Sequence, residues 1–462
     1  MQKIIVRSVN VKNKIDMCNG PILKQMIIYF VPILLTGILQ QFFNTVDVIL
    51  AGKLTSSGNS TVAAVSTATI ITRLLISFFI GCSSGSVVTL AHAIGSKNKQ
   101  SITETIHTAM LLSIILGSIL TLLGITLTKH ILVLIHTPEY ILKQATLYLQ
   151  TYFLNMIPNM VYNFGAAILK TFGETKKPLY FLLIAGPIKI ILTVVFVYYL
   201  NLDVIGLSLA TTCSLAVSAT LVIISLIKRN DDCKLHLKQL KISISPLKKI
   251  LRLGIPAGIQ STTYSLSGAF IQSSVNTLSH IEGFITGNAA ALNIEAYSDI
   301  FTGPFFKCAL NFTGQNLGAK NYKRVKKSFV TCSFLSAVVI SLFSIFVLVF
   351  GKQILGLYIT NSEEAMKWGY IRISIIFVPL IFQALMDTTA GALRGLGISI
   401  SNTATSLLGI CGFRILWCLT IFQIPQFHTP QVLFVVYPIS WVLTYLIQLV
   451  LYNRFYKKMI KK

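Results

Sequence analysis

The sequence predicts an all-helical integral membrane protein of twelve transmembrane helices, organised as two copies of a six-helix bundle. Three observations predict this class: an apolar composition, an alternation of basic residues between successive loops, and an internal repeat. Of the 462 residues, 54% are hydrophobic and 11% are charged, and the mean hydropathy is +0.73. A soluble domain carries roughly twice that charged fraction, so we predict a chain that lies mostly within lipid.

Apolar runs of about 20 residues are long enough to cross a bilayer as helix, and the sequence contains twelve of them. We predict spans at Met26–Ala51, Val62–Ala93, Ile106–Leu127, Leu147–Leu169, Pro178–Leu200, Val204–Ile227, Ile250–Leu278, Phe284–Phe312, Phe329–Phe350, Trp368–Leu393, Thr403–Phe422 and Val432–Tyr452. The corresponding domains are an N-terminal tail (1–24), a first lobe (25–227), a linker (228–249), a second lobe (250–453) and a basic tail (454–462).

The basic residues explain the net charge of +25 without nucleic acid as a partner. They lie in short clusters between the apolar runs, with 29 in the loops of one side and 5 in those of the other. Cytosolic loops carry the excess of Lys and Arg, so we expect both termini to be cytosolic. The first 20 residues contain no apolar stretch that precedes a cleavage site, so we expect no removable signal peptide.

An internal repeat relates the two halves. GSKN at Gly95–Asn98 matches GAKN at Gly318–Asn321, and Pro256 and Gly397 lie 224 residues after Pro32 and Gly173. Because six spans are an even number, both copies begin on the same side of the membrane and the repeats are parallel. Repeated bundles of this kind build transporters around a central site.

Two acidic residues interrupt apolar spans and are the first functional candidates. An ionised carboxylate inside a bilayer costs several kcal/mol, so it is retained where it faces a bundle interior or a wet cavity. We predict a coupling-ion role for Asp47 and for Asp387, with a structural hydrogen-bonding role as the alternative for Asp387. At the repeat offset Asp387 aligns with Asn163, and Asp47 aligns with Ile271, so the halves share a scaffold but differ in charge.

Further polar residues within the spans are candidates for a cavity or a charge network. Glu295 and Asp299 lie one helical turn apart, with Lys307 two turns further along, and they form either a neutralised structural network or part of a transport site. Basic residues within spans could pair with acids, bind an anionic substrate or extend to the membrane interface. The full set of network candidates is Glu295, Asp299, Lys189, Lys307, Arg414, Asn163, Gln260 and Gln383, and the other basic residues within spans are Arg73 and Arg372.

Other classes of function find little support. The eight cysteines show no CxxC spacing, so we expect neither disulfides nor a metal site. We also expect no cofactor, only the transported coupling ion. The chain contains no HExxH or GxSxG with suitable partners, which argues against a membrane-embedded enzyme. A channel is the other class considered, but a doubled bundle with asymmetric buried carboxylates is more typical of a carrier.

Several stretches together resemble the multidrug and toxic compound extrusion (MATE) family, over residues from about Leu23 to Tyr452. They are QQFFNTVDVILAG from Gln40, the GSKN tetrad, IPAGIQSTTYSLSGAFIQSSVNTL from Ile255, LNFTGQNLGAKN from Leu310 and LMDTTAGALRGLG from Leu385. The resemblance is strongest to the bacterial branch.

The resemblance implies two six-helix lobes around a V-shaped cavity and export of cationic or amphipathic organic compounds by alternating access, in exchange for H+ or Na+. It also implies a monomer in the bacterial inner membrane, with the lipid bilayer and small organic molecules as its partners. In the family, the acid of the first span is the coupling-ion residue, and here that position is Asp47. Asn44 and Gln40, one and two turns earlier, are candidate supporting groups.

Two departures from the family pattern favour protons as the coupling ion. Many members carry an Asn and an Asp one turn apart in the fifth span, where this chain has Lys189 and Thr193. A lysine there could lie beside Asp47 and lower its affinity for a metal cation. The sodium-linked branch has a glutamate in the seventh span, where this chain has no acid. The alternative function is a lipid-linked oligosaccharide flippase of the same superfamily, which would need an arginine-rich cavity.

Overall fold

The computed structural model describes residues 14–54, 58–134, 137–229, 234–360 and 362–461. Parts of the predicted tails and linker, residues 1–13, 230–233 and 462, lie outside the described residues. Within these ranges the chain folds into helices, as predicted: α1 Ile22–Leu54, α2 Gly58–Gly95, α3 Lys99–Leu134, α4 Glu139–Phe153, α5 Met156–Thr171, α6 Lys176–Val194, α7 Asp203–Ile227, α8 Ile244–Thr277, α9 Phe284–Gly318, α10 Tyr322–Leu355, α11 Glu363–Phe377, α12 Leu380–Gly395, α13 Ser399–Ser406, α14 Phe413–Leu419 and α15 Pro430–Ile460. A π-helical turn, Val195–Tyr199, continues α6, and another, Leu407–Gly412, joins α13 to α14.

Each of the twelve predicted spans coincides with one of these helices or with a broken run of them. By length and composition, eight candidate spans occur in the described residues, and the bent pair α11 and α12 makes a ninth. The other three predicted spans correspond to the α4–α5 pair, to α8 and to α9. Helices α4 and α5 have 15 and 16 residues, so neither is long enough to span a membrane alone. Helices α8 and α9 are long enough but carry polar side chains, among them Gln260 on α8 and Glu295 and Asp299 on α9.

The fourth and tenth spans are broken helices, where the sequence predicted continuous ones. The first break separates α4, which ends at Phe153, from α5, which begins at Met156. The second separates α11 from α12 at Val378 and Pro379, with a bend of 46°. The missing N–H of Pro379 explains the second break, since proline removes a helical hydrogen bond. Each break lies at the same position of its repeat, which supports the predicted parallel duplication.

The turns between helices repeat as well. Lys97 and Lys320 have φ of 54° and 56°, and Gly173 and Gly397 have φ of 81° and 80°. These left-handed residues end the preceding helix, and glycine adopts that conformation at the lowest cost. After the lysine turns, the side chain of Asn98 accepts a hydrogen bond from the N–H of Ser101 at 2.9 Å, which caps α3. Asn321 caps α10 in the same way.

The described chain divides into two compact units. The first comprises Val31–Gly258 with the described part of Met1–Asp16, and the second comprises Met17–Phe30 and Ile259–Lys462. Helices α1 and α8 therefore contribute to both units, and each divides within two residues of its repeated proline, Pro32 or Pro256. The two compact units are defined by which residues lie close in space, whereas the predicted domains are continuous segments of sequence. The predicted domain boundaries therefore stay a prediction.

In the first unit, α2 lies in backbone contact with the first half of α8. A methyl group added to Gly81 would lie 2.6 Å from the Cα of Gly258, and one added to Gly85 would overlap the carbonyl oxygen of Ile250. Small residues spaced by four allow helices to approach this closely within a membrane. The predicted linker also belongs to this unit, where the backbone N–H of His236 donates to Nε2 of His107 on α3 at 3.2 Å.

Candidate functional site

The first candidate site lies in the first unit and is an ion pair between Asp47 on α1 and Lys189 on α6. The ammonium of Lys189 donates to Oδ2 of Asp47. The Asp47 side chain is 30% exposed and that of Lys189 is 14% exposed, so the pair is largely but not completely buried. Pairing with an acid was one of the roles left open for Lys189, and the structure places it beside Asp47.

Among the described side chains, the other predicted residues of the first unit form no hydrogen bond with this pair. Gln40 and Asn44 are exposed on α1, and Lys189 is the recorded hydrogen-bond partner of Asp47 among the described side chains. Asn163 donates through Nδ2 to the backbone carbonyl of Asn159 on the same helix at 2.9 Å. The sequence contains no signal that would have shown whether Gln40, Asn44 and Asn163 contact Asp47 or only their own helices.

Two tyrosines that the sequence did not single out also lie near Asp47. The rings of Tyr148 and Tyr152 on α4 stack with their centroids 5.7 Å apart, and both hydroxyls lie within electrostatic range of the Asp47 carboxylate. Their spacing of four residues on one helix face could have indicated the pair. It could not have indicated the acid that they face.

The second candidate site lies in the second unit, where two acids on α9 and α12 come together. Gln383 donates through Nε2 to Oδ1 of Asp299 at 3.2 Å. One turn further along the same two helices, Asp387 on α12 lies near Thr302 on α9. Asp299 and Asp387 lie within electrostatic range of each other. The structure therefore brings three of the predicted residues into one region, with Asp299 exposed and Asp387 partly buried.

Arg394, the residue after the predicted end of the tenth span at Leu393, adjoins this acid pair. It lies in the last turn of α12 and is 6% exposed. Its Nη2 donates to Oε1 of Gln260 on α8 at 2.6 Å, and Nε2 of Gln260 donates to the hydroxyl of Tyr264 at 2.9 Å. Arg394 is also within electrostatic range of Asp387.

Glu295 has a different partner from the one that its spacing suggested. The predicted network grouped it with Asp299 and Lys307, but the guanidinium of Arg372 on α11 donates to it through Nη2 at 2.6 Å and Nε at 3.2 Å. Nη1 of Arg372 donates to Oδ1 of Asn288 at 2.7 Å. Both of the N–H groups that bind Glu295 donate to its Oε2, and a guanidinium on a neighbouring helix reaches this carboxylate better than a lysine three turns away on the same helix can. Lys307 is instead exposed.

Arg414 on α14 completes the polar interior of the second unit. Its Nε donates to the hydroxyl of Ser440 on α15 at 2.9 Å, and its guanidinium carbon lies 4.3 Å from the centroid of the Tyr437 ring. The side chain of Arg73, the remaining basic residue within a predicted span, lies outside the described part of the chain.

A helical membrane protein built from two repeated bundles, with paired ionisable groups inside them, belongs to the class of membrane transporters rather than to the enzymes. Within that class the family is settled by a match to the family model described as MatE, which covers residues 32–195 and again residues 256–420. The chain belongs to the MatE family. The two matches begin at Pro32 and Pro256, the prolines that identified the repeat.

Curated relatives span most of the chain. It is 27% identical over 403 residues to the "Probable multidrug resistance protein YoeA" of Bacillus subtilis (strain 168), with 85% of each chain covered. It is 25% identical over 397 residues to the "Probable multidrug resistance protein YpnP" of the same organism, covering 83% of this chain and 86% of the relative.

Solved structures share the fold. A chain described as the outward-facing conformation of a multidrug resistance MATE family transporter of the MOP superfamily superposes with a TM-score of 0.89 at 18% identity, covering 98% of this chain and 100% of that one. A MOP superfamily transporter from Pyrococcus furiosus, whose description notes a reverse polarity of its binding pocket, superposes with a TM-score of 0.88 at 17% identity over the same shares. The fold is therefore that of the twelve-helix MATE transporters.

Proposed function

We propose that this protein is a secondary active multidrug efflux antiporter, which exports cationic or amphipathic organic compounds in exchange for protons by alternating access. The MatE family match and the names of the curated relatives support the efflux of drugs. The choice of the proton as coupling ion rests on one observation, the ion pair between Asp47 and Lys189.

The ion pair affects protons and sodium ions differently. A sodium ion needs several oxygen ligands, and at Asp47 it would have to displace an ammonium that the protein holds in place. A proton needs only one carboxylate oxygen, and its arrival neutralises Asp47 and releases Lys189. Protonation thus changes the contact between α1 and α6, which is the kind of differential interaction that shifts a transporter between states.

The acid pair of the second unit offers a further place for a proton. Two carboxylates within electrostatic range of each other in a helix bundle repel when both are ionised, and a proton on either one relieves that repulsion. Asp387 is the member that carries the proposed coupling role, and Asp299 and Gln383 support it through their hydrogen bond. The exported molecule competes with the protons for these carboxylates, because its positive charge is attracted to the same groups.

The proposed setting is the cytoplasmic membrane of a bacterium, with both termini in the cytosol and the protein acting as a monomer. The excess of basic residues in the loops of one side supports the orientation. Small organic molecules and the lipid bilayer are its partners, and the coupling ion takes the place of a cofactor.

The test is transport by purified protein in liposomes under an imposed pH gradient or an imposed Na+ gradient. We expect the pH gradient alone to drive export of a fluorescent organic cation. We expect Asp47→Asn to reduce this transport at least about tenfold, because a carboxamide neither gains nor loses a proton near neutral pH and so cannot carry one. Glu282→Gln, which removes an exposed carboxylate, serves as the matched control and should transport like the wild type.

Two results would overturn the proposal: transport driven equally well by the Na+ gradient alone, or wild-type transport by Asp47→Asn. Asp387→Asn separates the two roles open to that residue. A lowered melting temperature with an unchanged number of protons per substrate would mean that Asp387 braces α9 and α12 rather than carrying a proton.

A flippase for lipid-linked oligosaccharides is the second candidate, favoured by the three arginines inside the second unit. The charge of Arg372 is neutralised by Glu295, however, and Arg394 adjoins Asp387. The interior is therefore less positive than an arginine count suggests. Rescue of a cell-wall precursor export defect in the absence of any drug transport would favour the flippase.

A further inference from the structure

The repeat places one basic side chain in the second unit without the acid that its counterpart has in the first. Lys189 on α6 and Arg414 on α14 occupy nearly matching positions of the two copies. In the first unit the basic residue pairs with Asp47. In the second unit the position that matches Asp47 is Ile271, a side chain that is 2% exposed. The second copy therefore has a basic residue near this position without the corresponding carboxylate.

The structure shows how Arg414 is held in place. Its Nε donates to the hydroxyl of Ser440 at 2.9 Å, and the Tyr437 ring lies against its guanidinium at 4.3 Å. Among the described residues, no hydrogen bond involves the two terminal amino groups of this guanidinium, and the side chain is partly exposed. Ser440 thus holds the Nε of the guanidinium and Tyr437 covers one of its two faces. The remaining N–H groups lie in one plane, an arrangement that suits the two oxygens of a carboxylate or phosphate.

Nearby acids do not neutralise Arg414. Glu295 lies within electrostatic range of it, but both recorded bonds of the Glu295 carboxylate go to Arg372, at 2.6 and 3.2 Å. Among the described residues, no carboxylate lies within ion-pair distance of Arg414. Two arginines and one glutamate leave one positive charge in the interior of the helix bundle. Such a charge is costly in a membrane protein, and it is typically retained where it meets a ligand.

We propose that Arg414 binds the anionic group, a carboxylate or a phosphate, of amphiphilic molecules that the protein exports. This inference rests on the proposed efflux function and narrows its substrates. Compounds that carry a positive and a negative group would be recognised through both charges, whereas compounds with only a positive group would not use Arg414. Arg414 is thus a specificity-determining residue, and Tyr437 and Ser440 position it.

The test uses three matched probes: a zwitterionic fluorescent amine with one carboxylate, its methyl ester, and a permanent organic cation. Binding of each probe to purified, detergent-solubilised protein is measured without any ion gradient, and transport is measured in liposomes. We expect Arg414→Gln to weaken binding of the zwitterion about 10- to 100-fold, the usual effect of losing a charge-assisted contact. Binding of the ester and of the cation should stay within about twofold of wild type.

Two further variants make the result specific. Arg414→Lys keeps the charge but not the two-pronged geometry, so it should restore part of the binding of the zwitterion. Lys326→Gln removes an exposed positive charge from α10 and should leave all three probes unaffected. An equal loss of all three probes in Arg414→Gln would show a merely structural role and overturn the proposal. Unchanged binding of the zwitterion would overturn it as well.

The source of the bound anionic group is decided by competition. If Arg414 holds the carboxylate of the substrate, inorganic phosphate and chloride at millimolar concentration should leave binding of the zwitterion nearly unchanged at constant ionic strength. Displacement of the zwitterion by either ion, with no preference of the wild type for the zwitterion over its ester, would assign the site to a small inorganic anion instead. A protein that binds the zwitterion through Arg414 but transports nothing would refute the efflux function and not the binding site.

Discussion

Lys189→Gln is the substitution that tests most sharply why this protein would use protons. The ammonium of Lys189 donates a hydrogen bond to the Asp47 carboxylate. Replacing this ammonium with an uncharged amide frees the position beside the carboxylate that a metal cation would need. The glutamine keeps much of the length and polarity of the side chain and removes only its charge. We therefore expect the variant to bind Na+ at Asp47, which the wild type does poorly.

The size of the effect follows from the geometry of the pair. Two unit charges about 4 Å apart attract by about 4 kcal/mol at an effective dielectric constant of 20. The Asp47 side chain is 30% exposed, and fully exposed pairs are worth at most about 1 kcal/mol. An intermediate penalty of about 1–3 kcal/mol against a competing cation corresponds to a change of about 5- to 150-fold in Na+ affinity.

The assay is the melting temperature of purified protein in detergent as a function of Na+ concentration, with choline chloride holding the ionic strength constant. A ligand that binds only the folded state raises the melting temperature with its concentration. We expect this rise for Lys189→Gln, and its disappearance in Lys189→Gln combined with Asp47→Asn. If Lys189→Gln melts independently of Na+, as the wild type is expected to, the reasoning about ion choice is refuted.

Two further predictions concern the packing that holds the sites. Gly85→Ala should lower the melting temperature markedly, because its methyl group would overlap the carbonyl oxygen of Ile250. Gly268 has open space around it, so Gly268→Ala should be neutral or stabilising by about 0.5–1 kcal/mol. Equal melting temperatures of the two variants would contradict the close contact of α2 and α8. Arg372→Met should destabilise the second unit by leaving Glu295 without its partner, and adding Glu295→Gln should recover part of that loss. A double variant less stable than Arg372→Met would show that the two side chains do not act as a pair.

The sequence predicted the helices because they depend on the pattern of consecutive residues, and it predicted the repeat because matching residues recur at a fixed offset. Apolar length and loop charge are properties of consecutive residues, and they located all twelve helical regions. The repeated prolines, at Pro32 and Pro256, marked the same offset that the two family matches show. The break in the fourth span was missed because an apolar run reads the same whether its helix is straight or interrupted, and Asn155 is not a helix breaker of the strength of Pro379.

The partners within the sites were harder to predict, because they depend on how each helix is rotated against its neighbours. Spacing along α9 suggested that Glu295, Asp299 and Lys307 form one group, yet Glu295 bonds to Arg372 and Asp299 to Gln383. Both partners lie on other helices more than 70 residues away in the chain. The pairing of Asp47 with Lys189 was one of the options that the sequence suggested. The family resemblance marked Asp47 as the acid of the first span and Lys189 as the residue that stands where many members carry an Asn and an Asp in the fifth span.

The most direct measurement of the central claim is the release of protons when a substrate is added to purified protein in weakly buffered detergent solution. If an organic cation displaces a proton from Asp47, the wild type acidifies the solution on binding, and Asp47→Asn binds with markedly less acidification. Equal proton release from both proteins would contradict the account, because it would show that the exchanged proton comes from elsewhere in the molecule.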